Sequence, residues 1–309
     1  MPTDPPLPTG STPPTGIASR QNEPAHLRLL HAKKYRHDVA DRWANLNVAG
    51  TIGFAVLVPV IAMVWPGSAA WLSAAAAGWL VLGRSLFRRF EQTSAELGIR
   101  YQEQFETSVF ALPWNTALAN EPPRTDAIVD DARRARHVDD QRDWFADDGA
   151  TPKPVDILLA HLESALWGRR NHHLYARWLS ILAAAIATAG ILVAVIAGLS
   201  VTDYLIRLLF PSLPALQEAL FLADEHRKTA SAKAQLENQI IQLLERLEAG
   251  GHVTQADCRS LQDATYTVRR GSPSMPTWFF RARHKIDSNA IQGTLTDWRN
   301  RLRRTTPSG

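Results

Sequence analysis

The sequence predicts an all-α integral membrane protein with four transmembrane helices in two hairpins and with a central and a C-terminal helical lobe in the cytosol. Three observations lead there. Residues 44–83 are forty positions without Asp, Glu, Lys or Arg, residues 178–202 are twenty-five more, and basic side chains crowd the ends of both stretches. A helix rising about 1.5 Å per residue needs about 20 apolar residues to cross a hydrocarbon core of about 30 Å, so forty suit two crossings and twenty-five suit one. A buried hairpin of a soluble protein is the alternative, but such helices usually carry a charged face.

Taken in order, residues 1–16 are rich in Pro, Thr, Ser and Gly and read as a disordered tail. Residues 17–43 have helical character and a basic end, with Lys33, Lys34, Arg36 and Arg42 outnumbering Asp38 and Asp41. The first hairpin spans 44–87, with helices at about 44–65 and 69–87. Its turn is Trp65-Pro66-Gly67-Ser68, where proline and glycine interrupt a helix and Trp65 and Trp71 sit as interfacial aromatics do. The turn carries no charge, whereas Arg84, Arg88 and Arg89 close the far end. Both ends of the hairpin are therefore expected in the cytoplasm.

Residues 88–177 contain no run long enough to cross a membrane and form the expected central cytosolic domain. Leu97, Tyr101, Phe105 and Phe110 give it an amphipathic opening helix that stops at Leu112-Pro113-Trp114-Asn115. The pairs Asp130-Asp131, Asp139-Asp140 and Asp147-Asp148 lie among arginines and read as a solvated, salt-laced surface rather than as metal ligands. His172-His173 lacks Cys or acidic partners at ligand spacing.

The second hairpin spans 178–223, as 178–202 and 204–223. Its second half holds Arg207, Pro211, Pro214 and Glu218. Charges persist at such depth mainly when they face protein or water, and prolines free carbonyls that need partners. An interfacial or re-entrant segment fits these residues; a broken fourth crossing fits them and also returns the basic remainder, 224–309, to the cytoplasm. That remainder begins with an arm whose Leu236, Ile240, Leu243, Leu244 and Leu247 share a face needing cover from the central segment or another subunit. Gly250-Gly251 ends the arm. A helix at about 254–270, the Trp278-Phe279-Phe280 cluster and a basic last helix around Leu295, Trp298 and Leu302 follow. That basic helix suits an anionic surface or ligand, or simply a solvated tail.

The net charge is +4 and the mean hydropathy −0.17, an average of very apolar and very polar parts. Cys258 is the single cysteine, so no intrachain disulfide forms. The first apolar run begins beyond residue 40 and is followed at once by a second, unlike a cleavable signal peptide. No phosphate-binding glycine loop, GxSxG, HExxH or CxxC occurs, so neither an enzyme nor a cofactor or metal protein is expected.

Several stretches, in order, resemble the SMODS-associated four-transmembrane effectors of bacterial anti-phage signalling. They are IASRQN at 17–22 with Leu29-Leu30-His31-Ala32 and Tyr35; QEQFETSVFALPWN at 102–115; Asp143-Trp144-Phe145; Arg170-Asn171; Leu261-Gln262-Asp263 through Arg269-Arg270; and PTWFF at 276–280. His172-His173-Leu174 departs from the pattern by lacking an acidic residue. The resemblance implies a non-enzymatic, homo-oligomeric effector of the bacterial inner membrane that disrupts the bilayer when a cyclic nucleotide or oligonucleotide messenger appears. No DNA or RNA polymer is an expected partner. Guanidinium and aromatic faces suit phosphates and bases, which nominates Trp114, Arg169, Arg170, Asn171, Trp278 and Arg281 for ligand contact. Arg207, Pro211, Pro214 and Glu218 are the expected gate. A membrane-anchored scaffold recruiting a partner through the 224–249 arm is the alternative function.

Overall fold

The computed structural model describes residues 16–138 and 141–305, the side chains of 59, 62, 63, 66, 69, 280–287 and 305 excepted. The proposed tail, save Gly16, lies outside them. All regular structure among the described residues is helical. In order it comprises α1 (Ile17–Arg20), α2 (Pro24–Val64), α3 (Ala69–Leu82), α4 (Arg88–Phe110), α5 (Thr116–Ala119), α6 (Thr125–Arg134), α7 (Val155–Ile196), α8 (Val201–Tyr204), α9 (Phe210–Glu248), α10 (Gln255–Arg270) and α11 (Thr277–Thr305).

Helix boundaries follow local chemistry. Pro24 opens α2 at a position where its missing N–H costs nothing. A 3₁₀ turn at Pro66–Ser68 reverses the chain into α3. Ala111 takes a left-handed conformation (φ 57°) to end α4, and Thr254 with Asp257 forms a capping box for α10.

Three helical stretches, Ala70–Phe110, Val155–Ile196 and Val201–Glu248, are long and apolar enough to cross a membrane. The remaining expected crossing lies in α2, where several side chains are outside the described residues. Among the described residues, the exposed large apolar side chains fall within 46–90 and 178–221, Trp278 apart. An apolar belt this extensive on a folded chain marks a surface made for another apolar phase.

The polar ends of the helices converge into one lobe. The segments expected to form separate central and C-terminal lobes share their core. One cluster joins Leu29 and Leu30 of α2, Tyr101, Phe105 and Phe110 of α4, Ile128 of α6, Ile157 of α7 and Cys258 of α10. A second joins Leu158, Leu162 and Leu166 of α7, Leu236, Ile240 and Leu244 of α9, and Ile291, Leu295, Trp298 and Leu302 of α11. The arm's apolar stripe is thus covered within the chain, by α7 and by α11. Local sequence could not choose among the candidate covers, because an apolar face states a need and not a partner.

Buried carboxylates tie the lobe together. Glu106 accepts four hydrogen bonds: Gln102 Nε2 (2.8 Å) and Arg269 Nη2 (2.8 Å) on Oε1, and Gln262 Nε2 (2.8 Å) and Arg269 Nη1 (3.0 Å) on Oε2. Burial opposes its ionisation, yet Arg269 outweighs burial and holds its pKa below the usual value. Glu103 takes Arg259 (2.9 Å) and Gln262 (2.6 Å). Asp131, expected on a solvated surface, is instead buried, accepting from Arg36 Nε (2.5 Å) and Tyr101 Oη (2.7 Å). Its place follows from α6 packing on α2, a contact ninety-five positions away in sequence.

Candidate functional site

Two π turns interrupt the apolar helices. Leu205–Leu209 immediately precedes Pro211, and Gly83–Phe87 joins α3 to α4. A proline in a helix lacks an N–H and crowds the carbonyl four residues earlier, so a local widening lets the helix continue. The expected break at Pro211 and Pro214 accordingly takes the form of a π turn, after which α9 runs on through Pro214. Arg207, within the turn, pairs with Asp203 at 2.8 Å. Pro211 and Glu218 are buried on α9.

Glu218 faces the other π turn. Its Oε2 makes no hydrogen bond and lies 3.6 Å from Arg84 Nη2. Arg84 and Arg88 also stand over the Phe221 ring, at 5.7 and 5.0 Å from its centroid. The end of α3 and the start of α4 are thereby docked on α9, which joins the two apolar hairpins at one point.

Around that point is a cavity of about 380 Å³. Asp41 and Asn45 of α2, Arg88 and Glu91 of α4, Tyr175 of α7, Glu218 and His226 of α9, and the 271–276 linker line it. The linker is tied to both hairpin exits: Thr277 Oγ1 donates to Asp41 just beyond it, and the Ser274 side chain hydrogen-bonds Glu91. Arg270 pairs with Glu96 at 3.1 Å. Burial raises the pKa of both Asp41 and Glu91 above the usual carboxylate value. Five carboxylates (Asp41, Glu91, Glu96, Glu218, Glu225) face three guanidiniums (Arg84, Arg88, Arg270) here. Such a lining, richer in carboxylates than in guanidiniums, disfavours a polyphosphate.

Just above, His172 and His226 join α7 to α9 with Nδ1 atoms 2.7 Å apart, one donating and one accepting. Both lose basicity through burial, His226 to about 4.

Of the six residues nominated for ligand contact, the five whose side chains are described do not line this cavity. The Trp114 indole N–H donates to the Asn120 carbonyl (2.7 Å), and its ring packs with Ile99 and Tyr266. Around it, Asn115 Nδ2 donates to Asp263 (3.1 Å) and Arg259 donates to the Pro113 carbonyl (2.8 Å), so the LPWN stretch clasps α10. Arg169 on α7 pairs with Glu237 on α9 at 2.6 Å, and Arg170 follows it on α7. Asn171 is buried, donating to the Trp167 carbonyl (3.0 Å) while its Oδ1 has no hydrogen bond. Trp278 meets Trp178 edge-on at 5.8 Å, where α7 leaves the lobe. The Arg281 side chain lies outside the described residues.

Sequence reasoning missed Glu103, Glu106, Arg84 and the 271–276 linker. The legible signal was two carboxylates three apart in the amphipathic helix of Tyr101, Phe105 and Phe110. A charge interleaved with a buried face needs a buried counter-charge.

Cys258 is buried, and burial pushes its thiol up to about 11, unlike a nucleophile. Among the described residues no group of three or more His, Cys, Asp or Glu side chains converges as metal ligands do.

A helical lobe continuous with an apolar belt defines a membrane-type all-α protein. The chain belongs to the SMODS-associating 4TM effector domain family, whose model matches residues 15–297. It is 22% identical over 293 residues, 89% of this chain and 95% of the other, to a protein of Bacillus cereus (strain VD146) named as a probable CBASS effector molecule. No solved structure matches the chain.

Proposed function

We propose that this protein is a membrane-disrupting, pore-forming effector of anti-phage defence, silent until a nucleotide second messenger engages its lobe. In this reading the crossings are residues 44–65, 69–87, 178–202 and 204–223, both termini face the cytoplasm, and copies assemble in the bacterial inner membrane. The observation that carries it is helix continuity. α2, α7 and α9 run 41, 42 and 39 residues without leaving the helix. At about 1.5 Å per residue each is about 60 Å long, twice a hydrocarbon core. A rotation imposed on the lobe end is delivered to the apolar end, because a helix resists bending far more than it resists displacement. The family assignment and the relative's name support the defence role.

Gating then requires the messenger to bind the open arrangement more tightly, since equal affinity shifts no population. The Arg84–Glu218 pair is the latch that opening breaks, with the π turn before Pro211 as the compliant point. The reading needs no catalytic step or cofactor. Burial of Leu236, Ile240 and Leu244 within the lobe speaks against a free recruiting arm.

The test is ion and dye leakage from liposomes carrying the purified chain, lobes outward, against a panel of cyclic di- and oligonucleotides. Leakage evoked by one messenger is the expected result. Silence toward every messenger, with a protein partner bound tightly instead, overturns it.

A further inference from the structure

The junction cavity has negative charge left over. Of the groups that line it, Arg270 is paired with Glu96 and Arg84 with Glu218, while Glu225 is paired with Lys228 outside the lining (3.0 Å). Arg88, the remaining guanidinium, stands over the Phe221 ring. It is one cation against two carboxylates, Asp41 of α2 and Glu91 of α4, that make no ion pair among the described residues.

Those carboxylates also have acceptor positions to spare, since an ionised carboxyl group offers about four. Asp41 receives the Thr277 hydroxyl and N–H, and Glu91 the Ser274 side chain. One short stretch of chain thus sets both carboxylates beside the same cavity. Glu218 is an independent sign of a missing donor. It is 6% exposed, it lines the cavity, and its Oε2 is buried without a hydrogen bond. A buried acceptor left without a donor is costly.

The partner such a lining wants is a hydrogen-bond donor with positive charge. A bare metal ion needs converging ligands, and among the described residues no three His, Cys, Asp or Glu side chains converge as such. The volume of about 380 Å³ instead lies within the range of sites for small organic molecules, about 300–1,000 Å³. Tyr175, packed edge-on against His226 with ring centroids 4.8 Å apart, adds an aromatic wall of the kind that suits organic cations. Asn45, Gln92 and Arg270 are exposed members of the lining and leave a way in.

We propose that the junction cavity binds a primary ammonium group on Asp41, Glu91 and Glu218. Its three N–H donors match three carboxylates that lack a full set of donors. Burial already raises Asp41 and Glu91 above the usual carboxylate value, a cost that a bound cation offsets. Two sources carry the group: a soluble di- or polyamine, and the ethanolamine headgroup of a lipid. The topology proposed above puts the cytoplasmic ends of all four crossings around the cavity, within reach of headgroups. Binding of a soluble amine does not rest on that reading.

The full-length protein in neutral detergent is titrated with spermidine, with magnesium chloride at matched ionic strength, and with phosphatidylethanolamine or phosphatidylglycerol in the micelle. The thermal midpoint is read in every arm and calorimetric binding for the soluble ones. Saturable binding of spermidine marks a soluble amine as the ligand, a rise in midpoint confined to phosphatidylethanolamine marks a headgroup, and either supports the site. A response to spermidine no larger than that to magnesium, with none to phosphatidylethanolamine, overturns it.

Asp41→Asn combined with Glu91→Gln is expected to weaken binding about tenfold or more. Its midpoint without ligand should be no lower than that of the wild type, because uncompensated charge is removed. Glu91→Gln alone is expected to weaken binding several-fold, and Glu121→Gln, which removes the same charge from an exposed position elsewhere, to leave it unchanged. Binding that survives the double variant, or that falls equally in Glu121→Gln, overturns the site. Amine binding without messenger-evoked leakage leaves the site standing and sinks the pore, and leakage without amine binding does the reverse.

Discussion

Glu106 is the residue whose loss the lobe tolerates least. It is 2% exposed and receives four hydrogen bonds from α4 and α10. Glu106→Ala strands Arg269 and should cost about 3–5 kcal/mol, read as a lower thermal midpoint in detergent; Glu106→Gln should recover part of that loss. Histidines govern the response to acid. Burial lowers His37 to about 3 and His161 and His226 to about 4, against a usual 6.5. Between those values the unfolded chain binds protons that the folded chain refuses. Stability is therefore present above about pH 6.5 and is lost as pH falls toward 4. Thermal melts across that interval should show a falling midpoint, and a flat profile would mean that these rings are solvated.

At the level of elements, two interfaces matter. The pairing of α7 with α9, the most extensive in the molecule, is closed on one side by α11. Ile240, fully buried there, is the test position: Ile240→Ala should cost about 2–5 kcal/mol, measured by denaturant or thermal unfolding. The other interface is the latch. Arg84→Glu places like charges together and should leak without messenger, and the swap Arg84→Glu with Glu218→Arg should restore silence. Equal leakage from the single and the double variant would show that the pair has no part in gating. The hairpin beside it is fitted closely, since a Cβ at Gly50 would lie 2.0 Å from the Trp79 ring.

For the whole molecule, the belt of exposed apolar side chains suits a bilayer, and the topology proposed above, read from the basic flanks, makes a labelling prediction. In a Cys258→Ser background, cysteines at Ser68 and Ser200 should react with an impermeant thiol reagent from the periplasmic side. A cysteine at Glu121 should react only after permeabilisation. Labelling of Ser200 from the inside alone would exclude the second hairpin as drawn.

Much of this architecture was legible in advance because its signals are local. Charge-free runs at 44–83 and 178–202, the Trp65–Ser68 turn and the stripe of Leu236, Ile240 and Leu244 follow from periodicity and hydropathy, which neighbouring residues set between them. The helical class could be read in the same way, and the family from its resemblance in short ordered stretches such as QEQFETSVFALPWN and PTWFF. The partners of each face were decided only by tertiary structure. The arm lies on α7 under α11, Asp131 beneath α2, Glu106 against Arg269 from 163 positions away, and Glu218 opposite Arg84. Hydropathy is a property of a segment, whereas compensation of a buried charge depends on what the fold brings to it from elsewhere. That is why the sequence by itself determined where the apolar phase lies, and only the folded chain determined where charge is satisfied.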